Sequence, residues 1–123
     1  MGKCVLIVDD SGTMRKIVTR CLRQAGLDFD EILEAGDGRE ALQVLEGNEV
    51  DIILSDINMP NMTGLEFLKE KAAIDAIKDI PVVMISTETG RDIIDEAMTL
   101  GAAGSIKKPF TPDMINATIG PLV

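Results

Sequence analysis

The sequence predicts an α/β protein built on a parallel sheet that helices cover on both faces. Five short apolar segments alternate along its 123 residues with five segments whose apolar residues recur at helical spacing. The clearest apolar run, Ile52-Ile53-Leu54, has no polar position facing away from a core, which is typical of a strand buried on both faces. Such an alternation indicates parallel strands joined by helices, and the length indicates one domain.

Each predicted strand is an apolar run that stops at a polar residue or a turn. The central run stops at Asp56, and the chain then turns through Pro60 and Gly64. Pro81 fits near the start of the fourth strand, where it removes no central sheet hydrogen bond. In chain order, the predicted strands are Cys4–Val8, Phe29–Glu34, Val50–Ser55, Ile80–Ile85 and Ala103–Lys107.

Each predicted helix carries an apolar stripe, and most have recognisable ends. Four follow a residue that can cap the N-terminus, and four end at a glycine. The capping residues are Ser11, Asp37, Thr63 and Thr111, and the glycines are Gly26, Gly47, Gly101 and Gly120. Thr63 and Glu66 have the spacing of a capping box, and Pro112 suits the first position of the last helix. The stripes are Met14, Ile17, Val18, Cys21, Leu22 and Ala25; Ala41, Leu42 and Leu45; Leu65, Leu68 and Ala72; Ile93, Ile94, Ala97 and Met98; and Met114, Ile115 and Ile119, which we expect to face inward.

Composition excludes several classes of function. The chain has 12 basic and 21 acidic residues, and its net charge of -9 argues against direct nucleic-acid binding. It has no His, which excludes Ser-His and Cys-His catalysis and histidine metal sites, and no Trp or Tyr to stack a flavin. It has neither a run of about 20 apolar residues nor a signal-peptide layout, so we expect a cytoplasmic protein without membrane insertion. We expect Cys4 and Cys21 to be buried free thiols.

Polar side chains follow four of the five predicted strands, at the point where each strand ends. They are Asp9, Asp10, Asp56, Ser86 and Lys108. Ligands of open parallel sheets bind beyond the carboxyl ends of the strands, so these side chains are expected to share one site.

The charges at this predicted site favour a divalent cation and phosphoryl transfer. Three aspartates and one lysine leave about two negative charges, which match Mg²⁺ or Mn²⁺ in an all-oxygen site. Phosphoryl transfer asks mainly for positioning and charge neutralisation, and a carboxylate can act as its nucleophile. We infer that Asp56 is that nucleophile, because it follows the central strand and has partners on both sides.

These motifs, taken together and in order, resemble the receiver domain of two-component response regulators. The resemblance rests on Val8-Asp-Asp10, Ser55-Asp56 with Asn58-Met-Pro60 and Gly64, Ser86 after Val82–Ile85, and Lys108-Pro-Phe110. It covers residues 1–123 as one receiver domain. It implies a flavodoxin-like, doubly wound fold with strand order 2-1-3-4-5 and five flanking helices. Asp9 to Arg15 and Ser55 to Leu68 look most like the single-domain chemotaxis regulators of the family.

The resemblance implies a role for each site residue. Asp56 would accept a phosphoryl group from a histidine kinase or a small phosphodonor. Asp10, Asp56 and the Asn58 carbonyl would ligate Mg²⁺, with Asp9 acting through water. Lys108 would pair with the phosphoryl group.

Further roles are implied for the loop after the fourth strand. Ser86 and the backbone N–H of Thr87 would hydrogen-bond the phosphoryl oxygens. Asn58 and Glu88 occupy the positions that tune dephosphorylation in the family, and this pair implies a short-lived signal. The bond from Lys108 to Pro109 is often cis in the family.

The implied function is a phosphoaspartate signalling switch rather than an enzyme, in chemotaxis or motility control. Phosphorylation would move Ser86 and bias the helix from Asp92 to Leu100. Because nothing follows Val123, we expect the output to be non-covalent docking. The implied partners are a sensor histidine kinase and a downstream protein such as a flagellar motor switch component or a phosphatase.

Two departures from the family pattern concern the output face. Ser105 stands where the family has an aromatic residue, so an aromatic flip cannot be the readout. Gly120-Pro121 cuts the last helix short. The face formed by the fourth helix, fifth strand and fifth helix usually meets the partner, so these departures leave the partner's identity open.

Four alternatives stay open at this point. The chain could be a stand-alone receiver in a phosphorelay or another sensory pathway, or a receiver-like protein that binds partners without phosphate, although its complete acidic and lysine set disfavours the latter. A haloacid-dehalogenase-type phosphatase needs a second Asp where this chain has Ser11, and a cap domain for which it has no room. A flavodoxin-like FMN carrier has only Ser11-Gly-Thr13 as a faint phosphate loop.

Overall fold

Five strands and five α-helices alternate in the structure, a computed structural model that describes residues 3–86, 91–108 and 110–123. The strands are β1 (Cys4–Val8), β2 (Glu31–Ala35), β3 (Ile52–Ser55), β4 (Val82–Ser86) and β5 (Gly104–Lys107). The helices are α1 (Gly12–Gln24), α2 (Gly38–Gly47), α3 (Gly64–Ala72), α4 (Arg91–Thr99) and α5 (Pro112–Ile119), and a 3₁₀ turn spans Gly120–Leu122. The predicted α/β alternation is confirmed.

The strands form one parallel sheet in the order β2-β1-β3-β4-β5, which confirms the order that the resemblance implied. Val8 pairs with Ala35 on one side and with Ser55 on the other, and Ser55 pairs with Met84. The strands β1 and β3 therefore end level with each other. Order reverses between β2-β1 and β3, so the residues that leave β1 and β3 stand at the topological switch point.

Apolar side chains fill a core on each face of the sheet. Leu6 and Ile53 pack on one face with residues of α2, α3 and α4, whereas Ile7 and Leu54 pack on the other with residues of α1 and α5. All four side chains are essentially inaccessible to solvent. This burial on both faces explains why the strands are near-continuous apolar runs.

The predicted helix starts are confirmed, and some stripe residues are not buried. The side chains of Ser11, Asp37, Thr63 and Thr111 each accept a backbone hydrogen bond from the first turn, and Thr63 with Glu66 forms a complete capping box. Met114 was expected to face inward, but it is 40% exposed, so that prediction is wrong. Ile17, Ala72 and Met98 are also exposed. The apolar stripe of a helix is wider than its contact with the sheet face, so the outer positions of the stripe stay in water.

The two cysteines are free, as predicted, but only Cys4 is buried, and Cys21 is half-buried. Burial, with help from Glu31, raises the pKa of the Cys4 thiol to about 11, so it stays protonated and unreactive at neutral pH. Within the described ranges, no helix combines the length and apolarity that crossing a membrane requires.

Gly64 begins α3 directly beneath the end of β3. Its φ is not among the positive values, so the backbone angle is not the reason for a glycine here. A Cβ at this position would overlap the backbone carbonyl of Asp56 and lie 2.7 Å from Met84 Cε and 2.9 Å from Ile57 Cα. The Gly64 N–H also donates to the Ile57 carbonyl at 2.7 Å. The glycine is therefore required by the close approach of α3 to the segment that carries Asp56.

We expect Gly64→Ala to lower the free energy of unfolding by about 1–3 kcal/mol, because backbone atoms must move to admit the methyl group. Urea unfolding followed by circular dichroism measures this change. Gly47→Ala is the matched control, since a Cβ there meets no atom within 4 Å. Equal stabilities of the two variants would contradict the steric explanation.

Candidate functional site

Three carboxylates meet at the carboxyl ends of β1 and β3. Asp9, Asp10 and Asp56 each offer an oxygen that lies within 4.8 Å of the other two. Asp9 is buried, Asp56 is partly buried and Asp10 is exposed, so the cluster opens to solvent on one side. The level ends of the two strands bring these residues together, because Asp56 N donates to Val8 O at 2.9 Å.

Lys108 reaches the same cluster from the far edge of the sheet. Its Nζ lies 3.3 Å from Asp9 Oδ2 and 3.7 Å from Asp56 Oδ2, and its side chain is only 12% exposed. The ammonium therefore stands between two of the three carboxylates. One positive charge faces three negative ones, so the site keeps an excess of negative charge.

The environment of Asp56 raises the pKa of its carboxyl above the ordinary value. Burial raises the pKa of the Asp56 carboxyl, and the Asp9 charge adds to this effect, although Lys108 and the backbone N–H groups of Ile57 and Asn58 act in the opposite direction. The Ile57 N–H donates to Asp56 Oδ1 at 2.7 Å. Desolvation, which destabilises the charged carboxylate, is the largest of these effects. A cation that entered the cluster would stabilise the charged form and so offset this cost.

The loop between β3 and α3 is held against the start of α2. Asn61 has a positive φ of 65°, and its Nδ2 donates to Asp37 Oδ2 at 2.8 Å. Met62 contributes as well, because a Cβ on Gly38 would lie 2.7 Å from Met62 Cγ. This loop contains Asn58, whose side chain is exposed. The loop that follows Asp56 is thus fixed at its far end rather than free.

Sequence reasoning missed Arg15 as part of this site. Arg15 Nη1 donates to the backbone carbonyl of Asp9 at 2.6 Å, and Nε donates to Glu34 Oε1 at 2.9 Å. The available signal was electrostatic. Arg15 stands close to the N-terminus of α1, where the helix dipole disfavours a positive charge.

The structure brings together Asp9, Asp10, Asp56 and Lys108, as the strand-end pattern predicted. The predictions for the Ser86 side chain, Thr87, Glu88 and the Pro109 peptide bond lie outside the described residues. Ser105, where the family pattern has an aromatic residue, is exposed on β5.

The donor set fits a hard divalent cation. Carboxylate oxygens converge from two strands, their charge exceeds that of Lys108, and Asp10 is open to solvent so that a partly hydrated ion can approach. Mg²⁺ keeps several waters and is usually bound by one or two carboxylates. Asp9, Asp10 and Asp56 are therefore a suitable set for Mg²⁺ or Mn²⁺.

The fold and the acidic site define a class of doubly wound α/β proteins that use a cluster of aspartates at the switch point of the sheet. A family model described as "Response regulator receiver domain" matches residues 5–120. The chain therefore belongs to the response regulator receiver family, whose members bind Mg²⁺ at an acidic pocket.

Its relatives include chemotaxis regulators. The chain is 41% identical over 115 residues to the chemotaxis protein CheY of Pseudomonas aeruginosa, covering 94% of this chain and 91% of the relative. It is 45% identical over 107 residues to CheY-3 of Vibrio cholerae, covering 87% and 81% respectively. The solved structure of Vibrio cholerae CheY4 matches with a TM-score of 0.87 at 38% identity and covers 100% of both chains.

The chain is accordingly a CheY-like receiver domain of two-component signalling, which is a signalling protein. Membership in the receiver family rules out the phosphatase and FMN-carrier alternatives. The match also accounts for the strand order and for the acidic residues at the strand ends.

In the absence of a divalent cation, we expect Asp56→Asn to be more stable than the unchanged protein at neutral pH. The substitution removes one of three crowded negative charges. Because folding raises the pKa of Asp56, the folded protein holds that proton more tightly than the unfolded chain does. Stability from this group is therefore lost as pH rises through the raised pKa, and the advantage of the variant grows in the same direction.

Thermal unfolding in EDTA between pH 4 and 8 tests this expectation. Asp28→Asn is the control, because it makes the same charge change at an exposed position. Saturating Mg²⁺ should reduce the advantage of Asp56→Asn. A variant that is less stable than the unchanged protein at every pH would contradict the argument.

Proposed function

We propose that this protein is a phosphoaspartate switch in which Asp56 accepts a phosphoryl group. An Asp56 carboxylate oxygen attacks the phosphorus of a phosphohistidine on a sensor kinase, or of a small phosphodonor. The bond from phosphorus to the leaving group breaks. The imidazole of a phosphohistidine leaves with a proton taken from water, whereas an acyl phosphate releases its carboxylate. The observation that supports the proposal is the convergence of Asp9, Asp10, Asp56 and Lys108 at one edge of the sheet.

Asp10, Asp56 and the Asn58 carbonyl are the proposed ligands of Mg²⁺, and Asp9 is proposed to act through water. The cation supplies charge neutralisation for the transferred group. Asp9 contributes a fixed carboxylate, since its Oδ1 accepts a hydrogen bond from the Ser11 N–H at 2.9 Å. The buried position of Asp9 and the exposed position of Asp10 suit these two roles.

Lys108 is proposed to hold the phosphoryl group on Asp56. Its ammonium already lies 3.7 Å from Asp56 Oδ2 and needs only a small side-chain movement to reach an added oxygen. The proposal also keeps Ser86 and the Thr87 N–H as phosphoryl donors. Asn58 and Glu88 are proposed to tune hydrolysis toward a short-lived signal.

The output is proposed to be a phosphorylation-dependent docking surface around α4, β5 and α5. Met98 on α4 and Met114 on α5 are 45% and 40% exposed, which makes them available to a partner. Ser105, which stands where the family pattern has an aromatic residue, is exposed on β5, the strand between these helices. The readout is therefore proposed to depend on backbone and helix position.

Chemotaxis or motility control is the pathway that the relatives favour, since those named above are chemotaxis proteins. The proposed partners are a sensor histidine kinase and a flagellar motor switch component or a phosphatase, met in the cytoplasm and without direct nucleic-acid contact. A stand-alone role in a phosphorelay is the second candidate. It is favoured only by the departures at Ser105 and Gly120-Pro121, which alter the face expected to meet a motor protein.

We expect Asp56→Asn to abolish labelling by radioactive acetyl phosphate in the presence of Mg²⁺, because an amide cannot form the acyl phosphate. Labelling is measured by mass or by radioactivity retained after gel filtration. Asp28→Asn should label normally. Equal labelling of Asp56→Asn and the unchanged protein would remove Asp56 from the proposed role.

We expect Lys108→Arg to fold and still to accept phosphate, yet to lose phosphorylation-dependent partner binding. The planar guanidinium cannot take the place of a compact ammonium between two carboxylates. A pull-down with and without beryllofluoride, which mimics the acyl phosphate, compares the variants. Lys107→Arg is the matched control, because this neighbouring lysine is exposed. Unchanged, beryllofluoride-dependent capture by Lys108→Arg would contradict the switch scheme.

A further inference from the structure

The geometry points to Arg15 as a positioning residue that sets the metal affinity of the acidic cluster, an inference that rests on the proposed metal site. Arg15 is on α1, outside the cluster, and its side chain is 23% exposed. Within the described residues, it donates to Glu34 and to the Asp9 carbonyl and makes no hydrogen bond to Asp10 or Asp56. Its effect is therefore exerted through the backbone of the segment that carries the carboxylates.

Every polar group of Asp9 is occupied in the described structure. Its N–H donates to Ala35 O at 3.0 Å, Oδ1 accepts from the Ser11 N–H, and Oδ2 pairs with Lys108. Arg15 Nη1 takes the remaining group, the backbone carbonyl, at 2.6 Å. This carbonyl belongs to the peptide that joins Asp9 to Asp10, so Arg15 fixes the plane from which Asp10 departs.

The position of the Asp10 carboxylate depends strongly on the orientation of the 9–10 peptide. Asp10 is exposed, and its carboxylate makes no hydrogen bond within the described residues. The backbone direction at Asp10 therefore sets the positions that its rotating carboxylate can reach. A change in the orientation of the 9–10 peptide moves the Asp10 oxygens relative to Asp56 and alters the separation between two proposed ligands.

Glu34 on β2 holds the guanidinium in place. Arg15 Nε donates to Glu34 Oε1 at 2.9 Å, so two edges of one planar group connect β2 to the end of β1. Arg15 Nη2 lies 3.5 Å from the position of a Cβ on Gly12, in ordinary contact with the start of α1. The guanidinium thus holds the segment in place without occupying any carboxylate oxygen of the cluster. Its positive charge by itself would weaken cation binding, so a loss of affinity on its removal would report position rather than charge.

Binding of Mn²⁺ alone, measured by loss of the electron paramagnetic resonance signal of the free ion, tests this role without any phosphodonor. We expect Arg15→Gln to weaken Mn²⁺ binding about tenfold, the lower end of the effect of outer partners in metal sites. Arg20→Gln on the same helix removes the same charge from an exposed side chain and should bind as the unchanged protein does. If the unchanged protein binds Mn²⁺ and the two variants bind it with equal affinity, the role of Arg15 is overturned but the proposed metal site is not.

Two further variants separate position from charge. Arg15→Lys keeps the charge but loses the planar fork, so it should also bind Mn²⁺ weakly, and full affinity of this variant would overturn the inference. Glu34→Gln releases the guanidinium less completely, so a smaller loss is expected, and it should not add to that of Arg15→Gln. It also keeps the test decisive if Arg15→Gln does not fold.

The labelling rate with acetyl phosphate supplies a readout that general damage to the structure would not produce. At low Mg²⁺, Arg15→Gln should label more slowly than the unchanged protein, and at saturating Mg²⁺ the two rates should agree within about twofold. A deficit that persists at saturating Mg²⁺ would overturn a role through the metal. Absence of Mn²⁺ binding by the unchanged protein would instead overturn the proposed metal site, and this inference with it.

Discussion

The crowding of three like charges at the ends of two adjacent strands is the constraint on which the rest of the site depends. At an effective dielectric constant near 20, two unit charges separated by 4.8 Å repel by about 3 kcal/mol. Water reaches Asp10 and reduces its share, but Asp9 is buried and Asp56 is partly so. The fold offsets this repulsion with Lys108 only in part. The remaining charge gives the folded protein an affinity for a cation, and in this way an unfavourable arrangement becomes a binding site.

The cluster persists because its surroundings leave the backbone little freedom. Pairing of Val8 with Ser55 aligns the two strand ends, and the Asp56 N–H is bonded to Val8 O. Beneath Asp56, the close approach of Gly64 leaves no room for a side chain. Asp56 is therefore confined between a neighbouring strand and the first residue of α3. Because these constraints come from the buried sheet and from a helix start, they oppose the charge repulsion without using the carboxylates themselves.

Much of this site could be predicted from the sequence, because the argument needs only topology. If strands are parallel, residues that follow them share an edge, and Asp9, Asp56 and Lys108 were placed together on that basis alone. Features that depend on tertiary distances could not be predicted. The resemblance included Gly64 but gave no reason for it, and the reason is that a side chain there would collide with Asp56 O. The helical stripe could not show that Met114 lies beyond the edge of the helix contact. Arg15 could not be predicted, because its partners are a backbone carbonyl and Glu34, and these form no recognisable side-chain motif in the sequence.

The two basic side chains at the site, Lys108 and Arg15, differ in what they bind. This difference separates the residue that responds to phosphorylation from the residue that maintains the geometry of the site. Lys108 pairs with carboxylate oxygens of Asp9 and Asp56, the atoms whose charge and chemistry change when a phosphoryl group arrives. Its contacts must therefore be redistributed during the proposed reaction. Arg15 binds a backbone carbonyl and Glu34, neither of which takes part in that reaction, so its contacts can persist throughout. A switch requires both kinds of basic residue. A side chain that responds to the new charge can transmit a defined change only when the surrounding backbone keeps its geometry.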